Sequence, residues 1–220
     1  MRRLLLITAF VSPAVAAYGN DIAGISGLTT NLTEMLPYIE RFAEAFAVQI
    51  PSPLTTNAVT RFQYIKYIEG AGIEIQRRWE FGFDAKPCAI STFTDRKHSM
   101  TVLWRPEDIK PLLQPSKVTK AGAIRLAWKY LNRLGYFESN LPVAHPKVKD
   151  WVWAPVNENV RQPLPYFTIE WPWKERPELN FMTVEIDGVR ERITQFNLLI
   201  ALRPKRRMAA CPFGPQPATR

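Results

Sequence analysis

The chain has 220 residues, 46% of them hydrophobic and 22% charged, with a formal net charge of +9 and only two cysteines. That length accommodates one large domain or two small ones, and two cysteines exclude a disulfide-dense scaffold. The positive balance gathers at the ends, in Arg2 and Arg3 at the start and in Arg203, Lys205, Arg206, Arg207 and Arg220 at the finish. It therefore does not mark a nucleic-acid-binding domain, and no nucleic-acid partner is expected.

Residues 1–17, MRRLLLITAFVSPAVAA, carry two arginines, then an apolar run over 4–11, a helix-breaking Pro13 and small residues. This is the order of a cleavable signal peptide, with processing after Ala16 or Ala17. The apolar run is far shorter than the roughly 20 residues needed to cross a bilayer. The expectation is an extracytoplasmic protein, periplasmic or secreted. Export would also permit a disulfide between Cys88 and Cys211.

A first helix-plus-sheet unit is expected over 33–105. Leu36, Ile39, Phe42, Ala43 and Phe46 recur at helical spacing within 34–49, with Thr33 as the expected N-cap and Pro51 as the stop. Strand-like runs follow at 59–68, 73–83, 88–94 and 99–104. In the second of these, apolar Ile73, Ile75, Trp79, Phe81 and Phe83 alternate with polar residues, and Arg77 interrupts the apolar side. Residues 106–118, with Pro111 and Pro115, read as a linker.

A second unit is expected over 119–202. Its helix, about 119–134, buries Ile124, Ala127, Trp128, Leu131 and Leu134, with Gly135 as the C-terminal cap. Strands are expected at 151–156, 166–173, 181–186 and 190–200. Asp187-Gly188 is a hairpin signal, since both residues tolerate positive φ. Residues 203–220, basic and rich in proline, read as a disordered tail. One helix followed by four strands thus occurs twice. The predicted fold class is α+β, two tandem helix-plus-four-stranded antiparallel units after a signal peptide, and the order of elements suggests an internal duplication.

The helix AGAIRLAWKYLNRLGY, the strand PYFTIEW from Pro165 and the segment FMTVEIDGVRERI ending at Ile193 resemble PepSY domains and, more loosely, cystatin-like folds. The resemblance covers 119–200, with a degenerate counterpart at 33–104. It implies one helix across a curved antiparallel sheet, extracytoplasmic modules that bind or inhibit other proteins, and no catalytic residue or cofactor to carry over.

Four tryptophans form the most specific local pattern. If their strands pair about Gln162, Trp151 meets Trp173 and Trp153 meets Trp171, so all four share one face. That face is either the core beneath the second helix or an exposed platform for a glycan or extended peptide. Cys88, His98 and His145 do not make a thiol site, because the hairpin expected at Arg96 separates Cys88 from His98. Two histidines 47 residues apart offer no metal spacing. Glu170, Glu185 and Asp187 fall on neighbouring strands, and the expectation is solvated acids balancing Arg190 and Arg192. Arg203, Lys205, Arg206 and Arg207 form a candidate contact for an anionic envelope surface.

The leading expectation is a non-catalytic exported binding or inhibitory module with a protein or peptide partner and no cofactor. A cell-envelope structural protein that holds polysaccharide or membrane is the alternative. An exported hydrolase built on Glu170, Glu185 and Asp187 comes third.

Overall fold

The computed structural model describes residues 31–65, 70–83, 90–103, 106–153 and 161–198. The expected signal peptide, the basic tail with Arg203, Lys205, Arg206 and Arg207, and both Cys88 and Cys211 lie outside the described residues.

Helix α1 spans Leu32–Ala45. Asn31, not Thr33, is its cap: the Asn31 side-chain oxygen accepts the Thr33 N–H at 3.1 Å. The apolar stripe is buried as its spacing demands, with Ile39 and Phe46 fully enclosed. Helix α3, Lys120–Arg133, is capped by Thr119, whose hydroxyl accepts the Gly122 N–H at 3.1 Å. Gly135 takes φ 81° just past its end, the left-handed conformation that a C-terminal cap needs.

Each helix precedes four strands that pair in sequence order. They are β1 (Val59–Ile65), β2 (Gly70–Ile75), β3 (Trp79–Phe83) and β4 (Ile90–Asp95), then β5 (Lys147–Trp153), β6 (Gln162–Pro172), β7 (Asn180–Asp187) and β8 (Arg192–Leu198). All eight belong to one antiparallel sheet in the order β1-β2-β3-β4-β8-β7-β6-β5. The seam is the β4–β8 pair, where Thr92, Phe93 and Thr94 face Asn197, Phe196 and Gln195. Both helices pack on one face. Phe42 and Phe46 of α1 meet Phe93 and Phe196 at the seam, with ring centroids 5.4 to 6.3 Å apart.

Several expected boundaries are corrected. The run over 73–83 is two strands, because Gln76 and Arg77 both adopt positive φ, 49° and 55°, and turn the chain back on itself. The polar interruption at Arg77 is therefore the hairpin turn. Residues 99–103 form no strand: after Asp95 the chain turns, with the Ser99 and Leu103 amides donating to the Asp95 and Ser99 carbonyls.

The expected linker belongs to the packed structure. Residues 96–103 and 106–114, the second stretch including the four-residue helix α2 (Pro106–Ile109), form a strap across the sheet face opposite the long helices. Met100 and Ile109 of the strap bury against Leu164 and Tyr166 of β6, with Trp151 and Trp153 of β5 packed beside them. Each such apolar side chain contributes about 1.5–3 kcal/mol when fully buried.

At the β7–β8 turn, positive φ falls on Glu191 (53°). Gly188 is required for space: a Cβ there would strike Ser116 Oγ and come within 2.8 Å of the Pro165 carbonyl oxygen. The Gly188 amide donates to that carbonyl at 2.6 Å, and the Gly188 carbonyl accepts the Lys117 amide at 2.9 Å. These bonds fasten the chain that follows the strap to the turn.

Candidate functional site

Beneath the strap lies a cluster of polar side chains on β6, β7 and β8. Tyr166 pairs with Asp187 and Thr168 with Glu185 across β6–β7, so these four project to the strap side, while Phe167 and Ile169 project to the helices. A bulge in β8 inserts Thr194 opposite Glu185. Glu185, Asp187, Thr194 and Ser99 are all buried, as is Tyr166. The expectation of solvated acids is thus overturned for Glu185 and Asp187. Strand alternation put both acids on one face, and the strap, whose residues were expected as a strand over 99–104 and a linker over 106–118, is what removes that face from water.

The two acids are held differently. Asp187 Oδ1 accepts the Val189 and Arg190 amides at 2.9 and 3.0 Å, while Oδ2 pairs with Arg190 at 2.8 Å and accepts the Tyr166 hydroxyl at 3.3 Å. It is a turn-forming acid with its own counter-ion. Burial, and next the Asp187 charge, push the Tyr166 hydroxyl above its ordinary value.

Glu185 has no such counter-ion: among the described residues no cation forms an ion pair with it. Its Oε1 accepts the Thr194 hydroxyl at 2.6 Å and the Met100 amide of the strap at 2.9 Å, and its Oε2 makes no hydrogen bond. Burial pushes this carboxyl up to about 7, although Thr194, Met100 and Ser99 favour the charged form.

A second polar group sits at the end of β4. Asp95 accepts from His98 Nδ1 at 2.9 Å and from Arg78 Nε at 3.4 Å, with the Arg192 guanidinium 3.8 Å away. Burial alone would raise the Asp95 carboxyl, but its bonds to His98 and Arg78 outweigh that and hold it below the ordinary value. Arg192 is lowered, chiefly by burial, and its Nε and one terminal nitrogen are buried without a hydrogen-bond partner.

The other expected site residues disperse. Trp171 is fully buried on the helix side, 5.3 Å from Trp128, and Trp173 stacks edgewise with Phe181 at 6.2 Å. Trp151 and Trp153 lie on the opposite face under the strap, with the Trp151 indole donating to Thr168 at 2.9 Å. The four tryptophans share no face, because β5 meets β6 in a register that sets Asp150 against Phe167, and a bulge then shifts Val152 onto Pro163. Glu170 stands apart from the buried acids, paired with Lys149 at 2.6 Å. His98 serves Asp95, and His145 is exposed.

Two concavities among the described residues bear on the hydrolase reading. An open groove of about 680 Å³ lies between the C-terminal ends of α1 and α3, lined by Glu44, Ala45, Asn132 and Arg133 among others. A cavity of about 30 Å³ borders Tyr166, Asp187 and Arg190 at the edge of the strap. Neither brings Glu170, Glu185 and Asp187 together before a substrate. No group of three or more metal-ligating side chains occurs among the described residues.

Compared with protein-family models, with curated proteins and with solved structures, the chain matches none. The PepSY-like and cystatin-like resemblance therefore rests on the residues quoted for it alone.

Proposed function

We propose that this chain is a non-catalytic, extracytoplasmic binding module, built from two PepSY-like or cystatin-like halves, that takes up an extended segment of a protein or peptide partner along strand β1. The observation that supports this reading is the character of that strand. β1 ends the sheet, so its outer amides and carbonyls face no strand among the described residues. Phe62 and Tyr64, opposite Ile73 and Ala71, are only partly buried on the helix side. An added strand would satisfy the backbone and cover both rings. The other edge is defended: β5 presents Lys147 and Lys149, a common guard against pairing.

The hydrolase reading loses support because Glu185 and Asp187 are enclosed and Glu170 is tied to Lys149. A photoreactive residue at Gln63 should capture a partner from envelope or secreted extracts at physiological salt, and the same residue at Lys149 should not. Equal capture from both edges, or none from Gln63, would refute the reading.

A further inference from the structure

We propose that Glu185 is a proton-dependent latch for the strap, holding its residues 96–103 against the sheet while it is protonated and loosening them once it is ionised. The inference stands on how this side chain bridges two elements. Glu185 belongs to β7, yet its Oε1 takes the Met100 amide of the strap as well as the Thr194 hydroxyl of β8. Its Oε2 is buried with no hydrogen bond, and the nearby Ser99 hydroxyl, also of the strap, is engaged with the Thr101 hydroxyl at 2.8 Å. A charged carboxylate would leave that oxygen's lone pairs unmet in a dry site, whereas a carboxylic acid covers it with its own proton.

The surroundings do not rescue the charge. From β7 itself the facing titratable group is Asp187, whose negative charge opposes ionisation, and from β6 it is Tyr166. From the turn and β8, Arg190 is taken by Asp187, and Arg192 lies toward Asp95. From the strap side, His98 is engaged with Asp95. The strap in turn covers Leu164, Tyr166, Trp151 and Trp153, so loosening it uncovers an aromatic surface.

With the strap closed the carboxyl sits at about 7, and released to water it returns toward 4.5. Closure is therefore fully supported below the lower value and is lost as pH rises through about 7. Across that window the equilibrium for closing should fall by up to about two and a half powers of ten.

Native-state hydrogen exchange of the whole protein reads this directly. Protection of the Met100 and Leu103 amides, corrected for intrinsic exchange, should drop about a hundredfold between about pH 5 and about pH 8, while Phe93 and Phe196 hold theirs. Glu185→Gln should flatten the profile at the protected level, and His98→Gln should leave the wild-type dependence intact. A flat wild-type profile, a dependence that persists in Glu185→Gln, or one abolished by His98→Gln would each overturn the latch. Should Glu185→Gln fail to fold, carbon-13 titration of the wild-type Glu185 carboxyl decides: the protection loss must level off at its midpoint, and a loss that levels off elsewhere overturns the proposal.

Discussion

Replacing Phe196 with alanine tests whether the eight strands form one cooperative structure. Phe196 is fully buried on β8, opposite Phe93 of β4 and Val184 of β7. Its ring lies 5.8 and 5.6 Å from Phe42 and Phe46 of α1 and 6.3 Å from Tyr136, just after α3. It thus touches both halves at a seam of only three registered residue pairs. A Phe→Ala change in a close-packed core costs about 3–5 kcal/mol, and neighbours held in two strands and a helix have little freedom to collapse into the gap. At about 4 kcal/mol the melting temperature should fall roughly 8–16 °C for a protein of this size. In urea, with a slope of about 2–3 kcal/mol/M, the midpoint should move down by about 1.5–2 M. Tryptophan fluorescence and far-ultraviolet circular dichroism should follow a single transition in the wild type. A loss under about 1.5 kcal/mol, or two separate wild-type transitions of which the substitution shifts only one, would refute the reasoning.

Three further outcomes follow from particular contacts. Gly188→Ala should destabilise by about 1–3 kcal/mol in thermal melts, since the new methyl meets the Pro165 backbone oxygen and cannot be relieved by a rotamer change; an unchanged melting temperature would show that the turn gives way freely. Asp95→Asn should cost about 3 kcal/mol by leaving Arg78, His98 and the half-buried Arg192 without their shared acid. Because the Asp95 carboxyl is held below 3.8, its contribution is present above that value and fades as pH falls through the depressed one, so the gap between wild type and Asp95→Asn should narrow in strong acid. Trp171→Phe should remove a blue-shifted, acrylamide-resistant part of the fluorescence, given its full burial against Trp128; a red-shifted loss would place the ring in water.

The two long helices and the strand runs other than 99–104 were legible because both obey a local period. Spacings of three and four put Ile39, Phe42 and Phe46 on one side of α1, and Thr119 and Gly135 carry the chemistry of helix ends. What escaped was set by tertiary partners. Gln76-Arg77 turns the chain without a glycine, so its hairpin was hidden inside an alternating run. The tryptophan pairing failed on the register of β5, which a bulge displaces and which nothing near Gln162 specifies. Burial of Glu185 and Asp187 could not be read from β7 alone, because the cover comes from residues 96–103 and 106–114. The signal was there in Ile109 and Leu112, apolar residues in a segment whose prolines made it look like a spacer.

The seam between β4 and β8 has a temporal side. Its paired residues stand roughly a hundred positions apart in the chain, since β8 is the last strand among the described residues. As the chain emerges N-terminus first, β1 to β4 can assemble under α1 while the far edge of β4, with Thr92, Phe93 and Thr94, stays bare until β8 has been made. An unpaired edge beside Phe93 is open to pairing with another copy during that interval. Truncation anywhere before Arg192 should therefore yield an aggregating fragment rather than a soluble half, and slow release of the last strand would itself be a hazard.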